Sequence, residues 1–291
     1  MGLSLSVALR LGRVSNLPTV WTNVLAGAVL SRAAFTGGTA ALLMAALSLF
    51  YVAGMYFNDA FDADYDARMR PSRPIPSGNV SARTVFIAGG AMIAAAFLLL
   101  AWLGLSRTPI QVGGLWAALG LALAILVYDV WHKDNPFGPV VMGLCRLFVY
   151  VTAAFSLTEV PDPGIYLAAV VALCYLIGLT YAAKQEDLMK MGSLWPLIFL
   201  AVPLVYGAPI AMRSGVGLAA YLALAAVVIG SVYLMMRPGP KAIGRVVTLL
   251  IAGICLLDAL FIAGVGQPVW AILAMLGFAV TLGAQRLVPG T

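Results

Sequence analysis

Long apolar runs joined by short polar connections fill the chain from residue 16 to residue 288. The runs lie at 17–33, 39–57, 82–105, 111–128, 138–157, 165–183, 194–212, 216–236, 243–264 and 268–287. A helix crosses the hydrocarbon of a bilayer with roughly 20 apolar residues. Only a helix or a closed barrel satisfies its own backbone in lipid. The pattern predicts an all-α, polytopic bundle of nine or ten transmembrane helices around a central cavity. The longest connection, 58–81, has no room for a soluble domain, so residues 1–291 are expected to form a single integral-membrane domain. Ahead of the first run, Leu3, Leu5, Val7, Leu9 and Leu11 are expected to lie along the membrane interface.

Composition agrees and excludes several classes. Of the residues, 63% are hydrophobic and 10% charged, where soluble proteins run about 45–50% apolar and about 25% charged. A disordered chain, a nucleic-acid module and an ordinary soluble enzyme are excluded. The net charge of +6 is not a nucleic-acid footprint, because its distribution follows the membrane. With the N-terminus inside, thirteen of the 17 Lys and Arg residues fall on the inner side. Arg32, Arg107 and Arg213 fall outside, and Arg146 lies within a span. This positive-inside asymmetry predicts a bacterial-type cytoplasmic membrane with the polar connections on the cytoplasmic face. Cys145, Cys174 and Cys255 lack metal-type spacing, and a single His132 excludes a His-rich metal site.

Two connections on that inner face carry most of the acids. Asp59, Asp62, Asp64, Asp66, Glu186 and Asp187 are six of the 11 Asp and Glu residues. On a helix continuing from the second span, Asn58, Asp59, Asp62 and Asp66 share an arc of about 100° over roughly two turns, with Asp64 on the opposite side. Three carboxylates on one face repel, and no Lys or Arg is interleaved before Arg68. A hard cation such as Mg²⁺, which takes few carboxylates plus water and phosphate oxygens, is the expected partner. Arg68, Arg70 and Arg73 follow at once, supplying guanidinium groups for the remaining charge of a diphosphate. Pro71, Pro74 and Pro76 with Ser77-Gly78 then turn the chain back.

Asn58-Asp-x-x-Asp62-x-x-x-Asp66, followed by Arg-Pro-x-Arg-Pro-Ile-Pro-Ser-Gly, resembles the first signature of the UbiA-type intramembrane prenyltransferases. The resemblance implies a Mg²⁺-dependent transfer of an isoprenoid group from an allylic diphosphate to a lipophilic, usually aromatic, acceptor. It implies that Asn58, Asp59, Asp62 and Asp66 hold the metal and diphosphate, with Arg70 and Arg73 beside them. The family's second signature has two Asp residues; Lys184-Gln185-Glu186-Asp187 stands here instead. Asp187 is then the remaining second-motif metal ligand, and Tyr181 and Lys184 share its helical stripe as substrate contacts. Tyr128 to Lys133 resembles the family's Tyr-and-Lys connection, with Lys133 on phosphate.

Arg146 lies about 12 Å into its helix, where a charge is expected to face a cavity and contact substrate or a carboxylate. Asn16 and Asn23 resemble polar positions that family members turn toward the cavity. Asp258 is placed far from the acidic connections and outside the site. Two other functions stay open: a carrier of a cation or polar solute, and a non-catalytic lipid-binding relative.

Overall fold

The computed structural model describes residues 3–131, 133, 135–188, 195–236, 240–288 and 290, with the side chains of all of these except 185–188 and 240–243. The chain opens with a short interfacial helix, α1 (Leu5–Leu11), capped by Ser4. A single 3₁₀ turn (Val14–Asn16) leads into α2 (Leu17–Leu30), whose Pro18 sits where a helix start needs no donor. There follow α3 (Gly37–Phe61), α4 (Ala63–Met69), α5 (Ala82–Leu105), α6 (Gly113–Trp131), α7 (Gly138–Phe155) and α8 (Gly164–Leu188). After a 3₁₀ segment (Trp195–Ala201) come α9 (Val202–Ala211), α10 (Gly215–Met235), α11 (Pro240–Gly264) and α12 (Pro268–Gln285). No strand occurs among the described residues.

Eight of these helices, α3, α5–α8 and α10–α12, are long and apolar enough to cross a bilayer. The other two expected spans are shorter. The helix in 17–33 has 14 residues, because the chain reaches it through a 3₁₀ turn and Arg13 in the left-handed region at φ 41°. In 194–212, Pro196, Pro203 and Pro209 break the run into a 3₁₀ piece and a 10-residue helix, since each proline removes a backbone donor. Leu98, Trp102, Trp116, Leu123, Val205 and Ile229 are among many large apolar side chains left exposed. On an integral membrane protein this belt faces lipid rather than water.

Two large apolar clusters make up most of the interior, and a smaller one, around Leu11, Tyr56 and Val85, packs α1 against α3 and α5. One large cluster gathers α8–α12 with parts of α2 and α7; the other gathers α3, α5 and α6 with the opposite parts of α2 and α7. α2 and α7 therefore join the halves, and they do so at close range. A Cβ built at Gly27 would lie 2.7 Å from the Tyr150 carbonyl oxygen and 2.9 Å from the Ala153 Cβ. Only glycine permits this approach. Among the eight long spans α11 is the most enclosed, packed against α2, α8, α9, α10 and α12.

Candidate active site

α3 does not stop cleanly. Asp62 leaves helical geometry at φ −84°, ψ 0°, yet the i to i−4 bonds continue from Asp62 N to Asn58 O and from Asp66 N to Asp62 O. The segment stays helical enough to keep its faces: Asn58, Asp59, Asp62 and Asp66 are buried, and Asp64 is exposed. Arg70 then leaves helical geometry at φ −142°, ψ 60°, and the proline-rich segment folds back through Ser77 N to Arg73 O and Gly78 at φ 75°. This return brings Arg73 over the acids that precede it.

The acids are neutralised from other parts of the chain. Arg73 Nη1 donates to Asp59 Oδ1 at 3.1 Å and to Asp66 Oδ2 at 2.9 Å. Arg13, ahead of the first span, reaches the same Asp59 oxygen at 3.2 Å. Lys133 pairs with Asp62 Oδ1 at 2.5 Å and lies 4.0 Å from the Tyr65 ring centroid. The expectation that only a metal remained as partner gave Arg73 and Lys133 to the diphosphate alone and did not include Arg13, which lies 46 residues from Asp59. Among the described residues, no three His, Cys, Asp or Glu side chains gather closely enough to enclose a metal ion. Two buried carboxylate oxygens, Asp66 Oδ1 and Asp129 Oδ2, have no hydrogen-bond partner among the described residues. The donors are all hard oxygens, and with phosphate oxygens they suit Mg²⁺.

These groups ring one end of a cavity of about 590 Å³. Asn58, Asp62, Asp66, Arg70, Arg73, Asp129, Lys133 and Lys184 line its polar end. Val20, Leu47, Phe50, Ile125, Val149, Leu176 and Ile251 are among the residues that make an apolar wall beyond them. A charged rim on an apolar chamber of this size fits an amphiphile with an anionic head.

A model of the UbiA prenyltransferase family matches residues 17–244. The chain belongs to this family. Its relatives include a digeranylgeranylglyceryl phosphate synthase from Haloquadratum walsbyi, 27% identical over 70% of this chain and 67% of that protein. Matches to two further synthases of that name span only 32% and 44% of their lengths. The fold is similar to the apo structure of a UbiA homologue from Aeropyrum pernix, with TM-score 0.63 and 20% identity over 85% of this chain and 95% of that one. It is also similar to a UbiA homologue from Archaeoglobus fulgidus bound to GPP and Mg²⁺, with TM-score 0.51 and 16% identity over 96% and 99%.

In this member of the UbiA family the residues singled out from sequence fall into three groups. Asn58, Asp62, Asp66, Arg70, Arg73, Lys133, Lys184, Arg146 and Asn16 line the cavity. Asp59, Asn23 and Tyr181 are not on its wall. Asp59 sits behind it in ion pairs with Arg13 and Arg73, and Tyr181 packs on the apolar core. The side chains of Asp187, Glu186 and His132 lie outside the described residues. Asn16 reaches the wall while bonded to the Tyr51 hydroxyl, the Gly290 carbonyl and Gln285.

Asn23 has a different partner set from the one expected. Its Oδ1 accepts from Arg146 Nη1 at 2.6 Å, and its Nδ2 donates to both carboxylate oxygens of Asp258 at 2.9 and 2.7 Å. The Tyr150 hydroxyl also donates to Asp258. Arg146 Nη2 adds a bond to Thr19 Oγ1 at 2.9 Å. Asp258, set aside from the site on depth alone, is thus the buried anchor behind a cavity arginine. The sequence signal was present, since a carboxylate inside a span needs a partner. The same signal marked Asp129, at the end of an otherwise apolar run. For Arg13 nothing in the local sequence points across 46 residues to Asp59.

Proposed function

We propose that this prenyltransferase transfers the isoprenoid group of an allylic diphosphate to a lipophilic acceptor inside the cavity, releasing diphosphate. The observation that carries the reading is the placement of Asp62, Asp66, Arg70, Arg73, Lys133 and Lys184 around one end of an apolar chamber of about 590 Å³. The Archaeoglobus fulgidus homologue was solved with GPP and Mg²⁺, which supports the same donor class here.

The residues divide the work by position. Arg70, Arg73, Lys133 and Lys184 present cations to the diphosphate and hold the charge that grows as it leaves. Arg73 and Lys133 reach it by giving up part of their hold on Asp59, Asp66 and Asp62. Asn58, Asp59, Asp62 and Asp66, with Asp187 from the second segment, would hold Mg²⁺, which when bound neutralises diphosphate oxygens and makes them a better leaving group. The apolar wall excludes water from the allylic carbon. Phe50, Tyr51 and Tyr128 on that wall offer ring faces to its positive charge. Arg146, held by Asn23 and Thr19, contacts the acceptor.

The acceptor is lipophilic, either an aromatic compound or a prenylated glyceryl phosphate of the kind named for the Haloquadratum walsbyi relative. Residues 1–291 act as one membrane unit, with the acidic end facing the cytoplasm, as the basic residues concentrated there favour. The test is diphosphate release from geranyl diphosphate by detergent-solubilised protein with Mg²⁺, run beside cation flux in liposomes. Release without flux is expected. Flux without release would make the chain a carrier instead.

A further inference from the structure

Among the cavity acids, Asp129 stands apart. Asp59, Asp62 and Asp66 each pair with an arginine or lysine. Asp129 lies on the cavity wall, is 5% exposed, and makes no salt bridge among the described residues. Its Oδ1 accepts one bond, from Asn58 Nδ2 at 3.3 Å, and its Oδ2 accepts none among the described residues. A buried carboxylate oxygen without a donor is costly to keep. Asp66 also keeps one oxygen, Oδ1, without a partner among the described residues, but Arg73 holds its Oδ2; Asp129 has no cation on either oxygen among them. Its free oxygen is available to a donor that arrives with substrate.

Prenyl transfer brings such a donor. The nucleophilic atom of the acceptor carries a hydrogen that must leave as a proton. We propose that Asp129 is the catalytic base of the transfer, taking that proton on Oδ2, an assignment that rests on the prenyl-transfer reading. The C1–O bond of the allylic diphosphate breaks and its electron pair leaves with diphosphate. The acceptor supplies the pair for the new bond to C1, and the electrons of its bond to hydrogen stay with the acceptor. The proton passes to Asp129, so atoms and charge balance with no oxidant or further reactant. Asn58 fixes the carboxylate through Oδ1 and leaves Oδ2 without a donor among the described residues, on a residue that lines the cavity. Asn58 also ties the base to the first motif, so proton removal and diphosphate departure occur side by side.

The test separates bond cleavage from proton removal in the full-length protein in lipid nanodiscs. Geranyl diphosphate carrying ¹⁸O at the bridging position reports cleavage by scrambling its label, with no acceptor present. Transfer is read with geranylgeranylglyceryl phosphate and with 4-hydroxybenzoate as probe acceptors. Asp129→Asn is expected to scramble label within a few-fold of wild type while losing transfer by about 10²-fold or more, the usual worth of a general base. Asp129→Glu is expected to recover transfer above the Asn variant. If the Asn variant does not assemble, Asp129→Ser with added formate reads the same step, with rescue expected.

Transfer by Asp129→Asn within a few-fold of wild type would overturn the assignment and leave the departing diphosphate as base. Equal loss of scrambling and transfer would also overturn it, placing Asp129 in diphosphate binding, as would absence of formate rescue. A wild type that neither scrambles nor transfers would overturn the prenyl-transfer reading, and this proposal with it.

Discussion

Replacing Asp258 with Asn tests whether the buried network behind Arg146 is a real structural element. The carboxylate accepts from Asn23 Nδ2 at 2.7 and 2.9 Å and from the Tyr150 hydroxyl, and it is 0% exposed. Polar contacts between membrane helices average about 0.6 kcal/mol and reach about 1.7. The amide keeps one acceptor oxygen, so the exchange removes one such contact, worth about 0.6 kcal/mol. The amide that replaces the carboxylate brings its own NH₂ group against that of Asn23, leaving a buried donor unpaired at a further cost of about 1–3 kcal/mol. Asp258→Asn should therefore destabilise the protein by about 2–4 kcal/mol, measured by reversible unfolding in bicelles. The paired change Asn23→Asp with Asp258→Asn restores one donor–acceptor match and sets a carboxylate against Arg146. It should be less destabilising than the sum of its parts. A single Asp258→Asn variant within about 0.5 kcal/mol of wild type, the range of an ordinary surface change, would refute the reasoning.

The remaining predictions concern the mouth, the packing and the orientation. Asp62→Asn and Asp66→Asn should each lower prenyl transfer by about 10²-fold or more, comparable to losing one electrostatic stabiliser. Asp64→Asn, on the exposed face of α4, should stay within a few-fold of wild type; membrane assays of the three at equal expression decide, and equal losses would show that shape does not matter. Gly27→Ala sets a methyl group 2.7 Å from the Tyr150 carbonyl oxygen and should cost about 1–3 kcal/mol of stability in unfolding titrations, as overpacking does. A cysteine at Ser77 should be shielded from an impermeant thiol reagent in intact cells, and labelling from outside would reverse the orientation.

Much of the fold was legible because lipid leaves so few options. Runs of apolar residues at 82–105 and 216–236 could only be helices, and α5 and α10 are there. The two short segments were less legible: their apolarity is that of a span, while Pro196, Pro203 and the turn at Arg13 decide their length. At the site, helical periodicity alone separated Asp64 from Asp62 and Asp66, because a face is a local property. The partners of those acids were not legible. Arg13 lies 46 residues from Asp59, and Lys133 reaches Asp62 from another helix end. Such pairings depend on how α1, α3, α4 and α6 converge, which periodicity does not encode. Asp258 and Asp129 each carried a readable warning, a carboxylate inside an apolar run. Reading it required knowing that Asn23 and Asn58 stand opposite.

The central claim is that the charged rim and the apolar chamber together perform prenyl transfer. Its most direct measurement is mass spectrometry of a membrane-lipid extract incubated with the purified protein, Mg²⁺ and isotopically labelled geranyl diphosphate. The wild type should yield a lipophilic species that has gained the labelled geranyl group, with diphosphate released in equal amount. Asp66→Asn should yield next to none. Unchanged geranyl diphosphate with the wild type, or equal product from Asp66→Asn, would contradict the account.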